Sequence, residues 1–134
     1  MITLTKTFGF SAAHRLHSSK LSDEENQEIF GKCNNLHGHG HNYELEVTVQ
    51  GKIDPQTGMI MDLVELMETV QESILDRFDH KHLNEDTVEF RTLNPTGENI
   101  VHVIWLLLQP KLGNRLVRLG LWETPKSLFE YHGE

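Results

Sequence analysis

Apolar and polar residues alternate along the first stretch of the chain, ITLTKTFGFSAAH from Ile2 to His14, and alternate strictly again in HNYELEVTVQG, where Tyr43, Leu45, Val47 and Val49 fall on one side. A two-residue period predicts a half-buried strand in each stretch. DPQTG then turns the chain, and the period changes. From Asp62 to Phe78, the residues Leu63, Leu66, Met67, Val70, Ile74 and Phe78 recur at three- and four-residue intervals, which predicts a helix with one apolar stripe. A second helix is predicted after Thr96, a suitable N-cap, with Ile100, Val103, Ile104, Leu107 and Leu108 turned inward. The closing runs RLVRLGLWE and SLFEYHG flank TPK and predict an antiparallel hairpin. The order is therefore ββααββ, an α+β fold with a four-stranded antiparallel sheet and two helices on one face. Its open edges need a partner, so self-association is expected.

Composition narrows the class of protein. A chain of 134 residues suits one domain over 1–134, and no repeat or linker divides it. Twenty acidic against 12 basic side chains give a net charge of −8, which opposes binding to a phosphate backbone, so nucleic acid is not an expected partner. The single cysteine excludes an intrachain disulfide framework. Neither a basic-apolar leader nor an apolar run of about 20 residues is found, so no membrane partner is expected and a cytoplasmic protein is.

The chemistry concentrates in CNNLHGHGHNYELEV, Cys33 to Val47. Residues two apart on a strand share a side, so His39 and His41 continue the apolar face of Tyr43, Leu45 and Val47 into the interior. Two buried imidazoles without partners are costly, whereas a zinc ion takes both through ring nitrogens. His14 ends the first strand and is the best third ligand, because an up-down pair of strands brings it opposite His39 and His41. Three histidines leave one coordination position open, the pattern of a catalytic zinc site. His102 and His132 stand alone and read as surface or core histidines. Cys33 has polar neighbours, Lys32, Asn34 and Asn35, which argue against deep burial but leave it open as ligand, nucleophile, acid/base or inert thiol. The Asp79-His80 pair after the first helix reads either as a helix C-terminal cap or as an acid/base pair. Glu123 shares strand parity with Val117, Leu119 and Leu121. That parity places a carboxylate at the end of the inward face, where a cationic or multi-donor partner would justify it; otherwise the strand ends one residue earlier.

These residues resemble the family of 6-pyruvoyltetrahydropterin and 6-carboxytetrahydropterin synthases, of the T-fold type. The resemblance runs through FSAAHRL (10–16), CNNLHGHGHNY (33–43), GKIDPQTGMIMDL (51–63), FDHKHLN (78–84), NPTGEN (94–99) and LWET (121–124) in order. It implies zinc ligands at His14, His39 and His41, and a proton-transfer role for Cys33 with Asp79 and His80. It also implies a pterin anchor at Glu123, and pterin-edge contacts at Thr96 and Glu98. It implies a pterin triphosphate as substrate, 7,8-dihydroneopterin triphosphate, and a homohexamer of two trimers with sites between subunits. His37 creates a second spacing, Cys-x3-His-Gly-His, like that of the queuosine-pathway enzymes. Counting back from Gly51 places His39 and His41 in the ligand register and leaves His37 beside the set. The expected product is 6-pyruvoyltetrahydropterin. The alternatives are 6-carboxytetrahydropterin with release of acetaldehyde, a non-catalytic zinc and pterin binder, and a metal-free T-fold aldolase, a branch that lacks the histidine triad. The triphosphate calls for cations, with Arg15, Lys32 and Lys81 nearest in sequence.

Overall fold

The computed structural model describes residues 1–134. Strands β1 (Ile2–His14) and β2 (His39–Gly51) pair antiparallel along their full lengths, in a register that sets Phe8 opposite Leu45, Phe10 opposite Tyr43 and His14 opposite His39. Because the register matches like sides, the two alternating patterns merge into one buried face of Phe8, Phe10, Ala12, Tyr43, Leu45, Val47 and Val49. Helix α1 (Asp23–Phe30) lies between these strands in sequence and was not expected. Its signal is present in SDEE: Ser22 accepts from the Glu25 N–H at 3.1 Å, and the Glu25 carboxylate accepts from the Ser22 N–H at 3.0 Å, a complete capping box.

The helix expected from Asp62 to Phe78 forms in three continuous pieces: α2 (Leu63–Val70), a π-helical segment Gln71–Leu75, and α3 (Asp76–Phe78). Leu66, Val70, Ile74 and Phe78 are fully buried, whereas Leu63 and Met67 are exposed, unlike their expected inward placement. The buried row is spaced by four residues throughout. An α-helix would rotate such a row off the sheet, and the wider π turn takes up the difference. Helix α5 (Gly97–Leu112) follows the Thr96 cap as expected and buries Ile100, Val103, Ile104 and Leu108, with Leu107 half-buried. A side chain at Gly97 would overlap the Phe129 ring, so glycine there lets α5 sit close to the sheet.

The sheet has five strands in the order β3-β1-β2-β4-β5, not four. The addition is β3 (Lys81–His82), which pairs parallel with β1 at Ala12 and Ala13 and leads into the single turn α4 (Leu83–Asp86). Two residues carry no period, so this strand exists only through its partner. The closing hairpin forms as expected from β4 (Leu116–Thr124) and β5 (Ser127–Tyr131). A bulge opposite Thr48 and Val49 shifts the parity at the start of β4, so Leu116 is buried and Val117 is only half-buried. No helix is long and apolar enough to cross a membrane.

Candidate active site

The apolar face of β1 and β2 ends in polar residues, and these build the site. His14 is the last residue of β1 and His39 the first of β2, directly opposite it; His41 follows on the same side. Their ligand atoms lie within 4.8 Å of one another, and the Nε2 atoms of His14 and His39 are 3.1 Å apart. Two nitrogens about 2.0–2.1 Å from one tetrahedral zinc would sit about 3.3 Å apart, close to this spacing. His14 is fully buried, and its Nδ1 lies 2.7 Å from the Pro95 carbonyl, with the Tyr43 hydroxyl at 3.3 Å. A carbonyl only accepts, so the proton sits on Nδ1 and the Nε2 lone pair is free. Burial lowers all three histidine pKa values, that of His14 to about 4, which favours the neutral imidazoles that metal ligation requires. The buried His41 Nε2 has no hydrogen-bond partner in the protein, and His39 turns its Nε2 toward that of His14. An orphaned buried nitrogen on a neutral imidazole fits a cation, which the fold supplies with three donors and an open side.

Glu123 stands at the rim, its Oε1 3.9 Å from His41 Nε2. Burial holds its carboxyl above the ordinary carboxylate range, opposed by the nearby His39 and assisted by the negative charge of Glu98. The inward parity of Leu119 and Leu121 therefore does extend to Glu123. The NPTGEN segment reaches the same place: Pro95 holds His14, Thr96 caps α5 by accepting from the Asn99 N–H at 3.2 Å, and Glu98 is exposed in the first turn.

Cys33 lies half-buried in a 3-10 turn, Gly31–Asn34, and lines a cavity of about 600 Å³ with Gln27, Gly31, Lys32, Asn35 and His39. The thiol side thus shares a cavity with one metal-site histidine. Three asparagines that sequence reasoning passed over hold this corner. Asn34 donates to the Leu16 carbonyl at 2.7 Å, Asn84 accepts from the Arg15 N–H at 2.8 Å and donates to the Arg15 carbonyl at 2.9 Å, and Asn94 accepts from the His17 N–H at 3.1 Å. Asparagine suits the task because its one amide both donates and accepts, as a strand neighbour would. The clue in the sequence is that each lies inside a motif quoted above, CNNLHGHGHNY, FDHKHLN or NPTGEN. His37 is exposed and outside the triad.

Asp79 and His80 lie away from Cys33, although His80 shares a cavity of about 400 Å³ with His41 and His82. The Asp79 carboxylate accepts from the Ser11 N–H at 2.9 Å, the His80 N–H donates to the Ser11 carbonyl at 2.6 Å, and His80 Nδ1 is 3.0 Å from Asp79 Oδ1. Both residues line a cavity of about 730 Å³ with Ser11, Asn42, Glu44, Trp122 and Thr124, residues that alternate with the buried ones on their strands. This is the sheet face turned away from the helices, so within one chain the pair and Cys33 border different cavities. His80 is the one non-glycine residue with positive φ, 61°.

Three converging imidazoles with a carboxylate at their rim, set at the end of an α+β sheet, form a site that could hold a metal ion. The chain belongs to the 6-pyruvoyl tetrahydropterin synthase family, which it matches over residues 3–134. It is 48% identical over 132 residues to the 6-pyruvoyl tetrahydrobiopterin synthase of Drosophila melanogaster, covering 97% of this chain and 79% of that one. The solved structure of the 6-pyruvoyl tetrahydropterin synthase of Caenorhabditis elegans superposes with a TM-score of 0.94 at 44% identity, over 99% of this chain and 96% of that one. A more distant relative, the 6-carboxy-5,6,7,8-tetrahydropterin synthase of Haemophilus influenzae, is 30% identical over 154 residues, covering 98% of this chain and 99% of that one.

Proposed function

We propose that the protein is a zinc-dependent lyase that converts 7,8-dihydroneopterin triphosphate to 6-pyruvoyltetrahydropterin, with loss of triphosphate. The observation that carries this reading is the convergence of His14, His39 and His41 beside Glu123, in a chain whose nearer relatives above are named for that product. Bound by the three imidazoles, zinc supplies Lewis-acid polarisation of the oxygens on the substrate's side chain.

Each remaining task falls to a side chain. Glu123 accepts from two N–H groups of the pterin ring, a bidentate match that selects this ring over most small molecules. Thr96 and Glu98 border the same edge. Cys33, as thiolate, removes a proton from a side-chain carbon; the electron pair left behind expels triphosphate as the C–O bond breaks. Proton shifts then turn the hydroxyls to carbonyls while the dihydropterin ring takes up the reducing equivalents, so no external reductant is consumed. Asp79 accepts from His80 Nδ1–H and fixes the tautomer, which leaves Nε2 to take or return protons.

Because Cys33 and the Asp79-His80 pair border different cavities in one chain, the complete site forms between subunits of a homohexamer of two trimers. Support comes from the outer edge of β1, which β3 covers only at Ala12 and Ala13, leaving the rest of that strand without a neighbour. Incubation of the zinc-loaded protein with dihydroneopterin triphosphate tests the whole reading. Triphosphate and 6-pyruvoyltetrahydropterin are the expected products. Stoichiometric acetaldehyde with a 6-carboxyl product would move the chain to the other branch, and an unchanged substrate would refute the lyase.

A further inference from the structure

The arginines of this acidic chain are mostly neutralised. Arg77 pairs with Glu89 at 3.0 Å, Arg115 with Glu65 at 3.1 Å, and Arg118 with both Glu46 and Glu130 at 3.0 and 2.6 Å. Arg15 is the exception that is also half-buried. Its backbone is clamped on both sides by Asn84, and its Nε donates to the Asn34 carbonyl at 3.1 Å. Its two terminal amino groups have no partner in the protein, and no carboxylate pairs with it despite the 20 acidic residues of the chain. A guanidinium held at Nε with both other nitrogens open presents a fixed fork, the geometry that binds a phosphate oxygen pair.

Position gives the fork a purpose. Asn34 lies between Cys33 and Asn35, both of which line the 600 Å³ cavity, and Lys32 lines it too, itself without an ion pair. In the reading above, the substrate runs from a ring at Glu123 through reacting carbons beside the triad and Cys33 to its phosphates. Glu123 stands beside His41, and Cys33 shares its cavity with His39 and Lys32, so the chain of phosphates continues past Cys33 along the turn whose Asn34 carbonyl holds Arg15. We propose that Arg15 and Lys32 form the receptor for the triphosphate, oriented by Asn34 and Asn84. The proposal rests on the pterin triphosphate reading of the site.

The test uses inorganic tripolyphosphate and phosphate-free 7,8-dihydroneopterin as separate probes of the zinc-loaded protein, by calorimetry, with zinc content measured before and after. Arg15→Gln is expected to weaken tripolyphosphate binding by about tenfold or more, and Lys32→Gln by about threefold, while dihydroneopterin binding stays at the wild-type value in both. Equal tripolyphosphate affinity in Arg15→Gln and wild type would overturn the assignment. Parallel loss of both ligands would also overturn it, since Arg15 would then be only a strut for the Cys33 turn. Should Arg15→Gln fail to fold, Lys32→Gln decides, because Lys32 is exposed. These measurements need no turnover: a protein that binds tripolyphosphate through Arg15 but leaves dihydroneopterin triphosphate intact refutes the lyase and not the receptor.

Discussion

His14 and His39 face each other across the end of the β1–β2 ladder with their Nε2 atoms 3.1 Å apart, and the Pro95 carbonyl has already claimed the other nitrogen of His14. The His14 lone pair is thereby aimed at a point it shares with His39 and His41. The expected content is about one zinc per chain, lost in His39→Ala and in His41→Ala and retained in His37→Ala. Metal analysis after dialysis against a weak chelator measures this. Zinc that survives loss of His41 but not of His37 would place the ligand register one histidine too late.

Cys33 is assigned to proton transfer, not coordination. Cys33→Ala is therefore expected to keep its zinc and its melting temperature while kcat falls by about 10²- to 10⁴-fold. The cobalt-substituted protein gives an independent view. A sulfur-to-cobalt charge-transfer band in the wild type that disappears in the alanine variant would make the thiol a ligand.

Much of this site was legible in the sequence because its histidines lie on long strands. Period-two alternation in β1 and β2 fixes which side each residue takes, and the side of Tyr43 and Leu45 extends to His41 and His39 without a break. The same rule carried Glu123 inward, though the bulge opposite Thr48 and Val49 moved Leu116 into the place expected for Val117. What stayed hidden has no period to show. Strand β3 is two residues long and is defined by Ala12 and Ala13, and the asparagine clamps join positions up to 77 residues apart. Helix α1 is different: its capping box was present in the sequence, but its mostly charged surface offers no apolar stripe, and Asn26 is its one buried residue.

Gly38 precedes the first metal-site residue of β2 and has φ of 80°. A Cβ there would lie 2.8 Å from His82 Nε2 and 2.9 Å from the His14 carbonyl oxygen. Gly38→Ala should therefore destabilise the protein by about 1–3 kcal/mol and weaken zinc retention together, since His39 is the next residue. Urea unfolding of the zinc-loaded and stripped forms, alongside metal titration, measures both effects. Wild-type behaviour in each would mean that the turn relaxes freely.

Asp79 gives a pH signature. The Ser11 N–H donating to its carboxylate, and then the neighbouring His80, hold its pKa below the ordinary value, while slight burial pulls the other way. A depressed folded-state pKa adds stability that is complete above the unfolded value of about 3.9 and disappears as pH falls through the folded one. Asp79→Asn should therefore lose stability at pH 6 and converge on the wild type in strong acid. Parallel urea midpoints for the two proteins across the acid range would show that the Ser11 contact contributes nothing.

His80 holds its backbone at φ 61°, a conformation that costs a residue with a Cβ about 1–2 kcal/mol and glycine almost nothing. Fold and chemistry thus pull position 80 in opposite directions. A lineage that kept this scaffold only to bind, or only to assemble, would gain by drifting to glycine there, and each generation would meet a shallow downhill step. On the reading proposed above, proton transfer is what would keep an imidazole in such a place, so His80→Gly is expected to exchange turnover for stability.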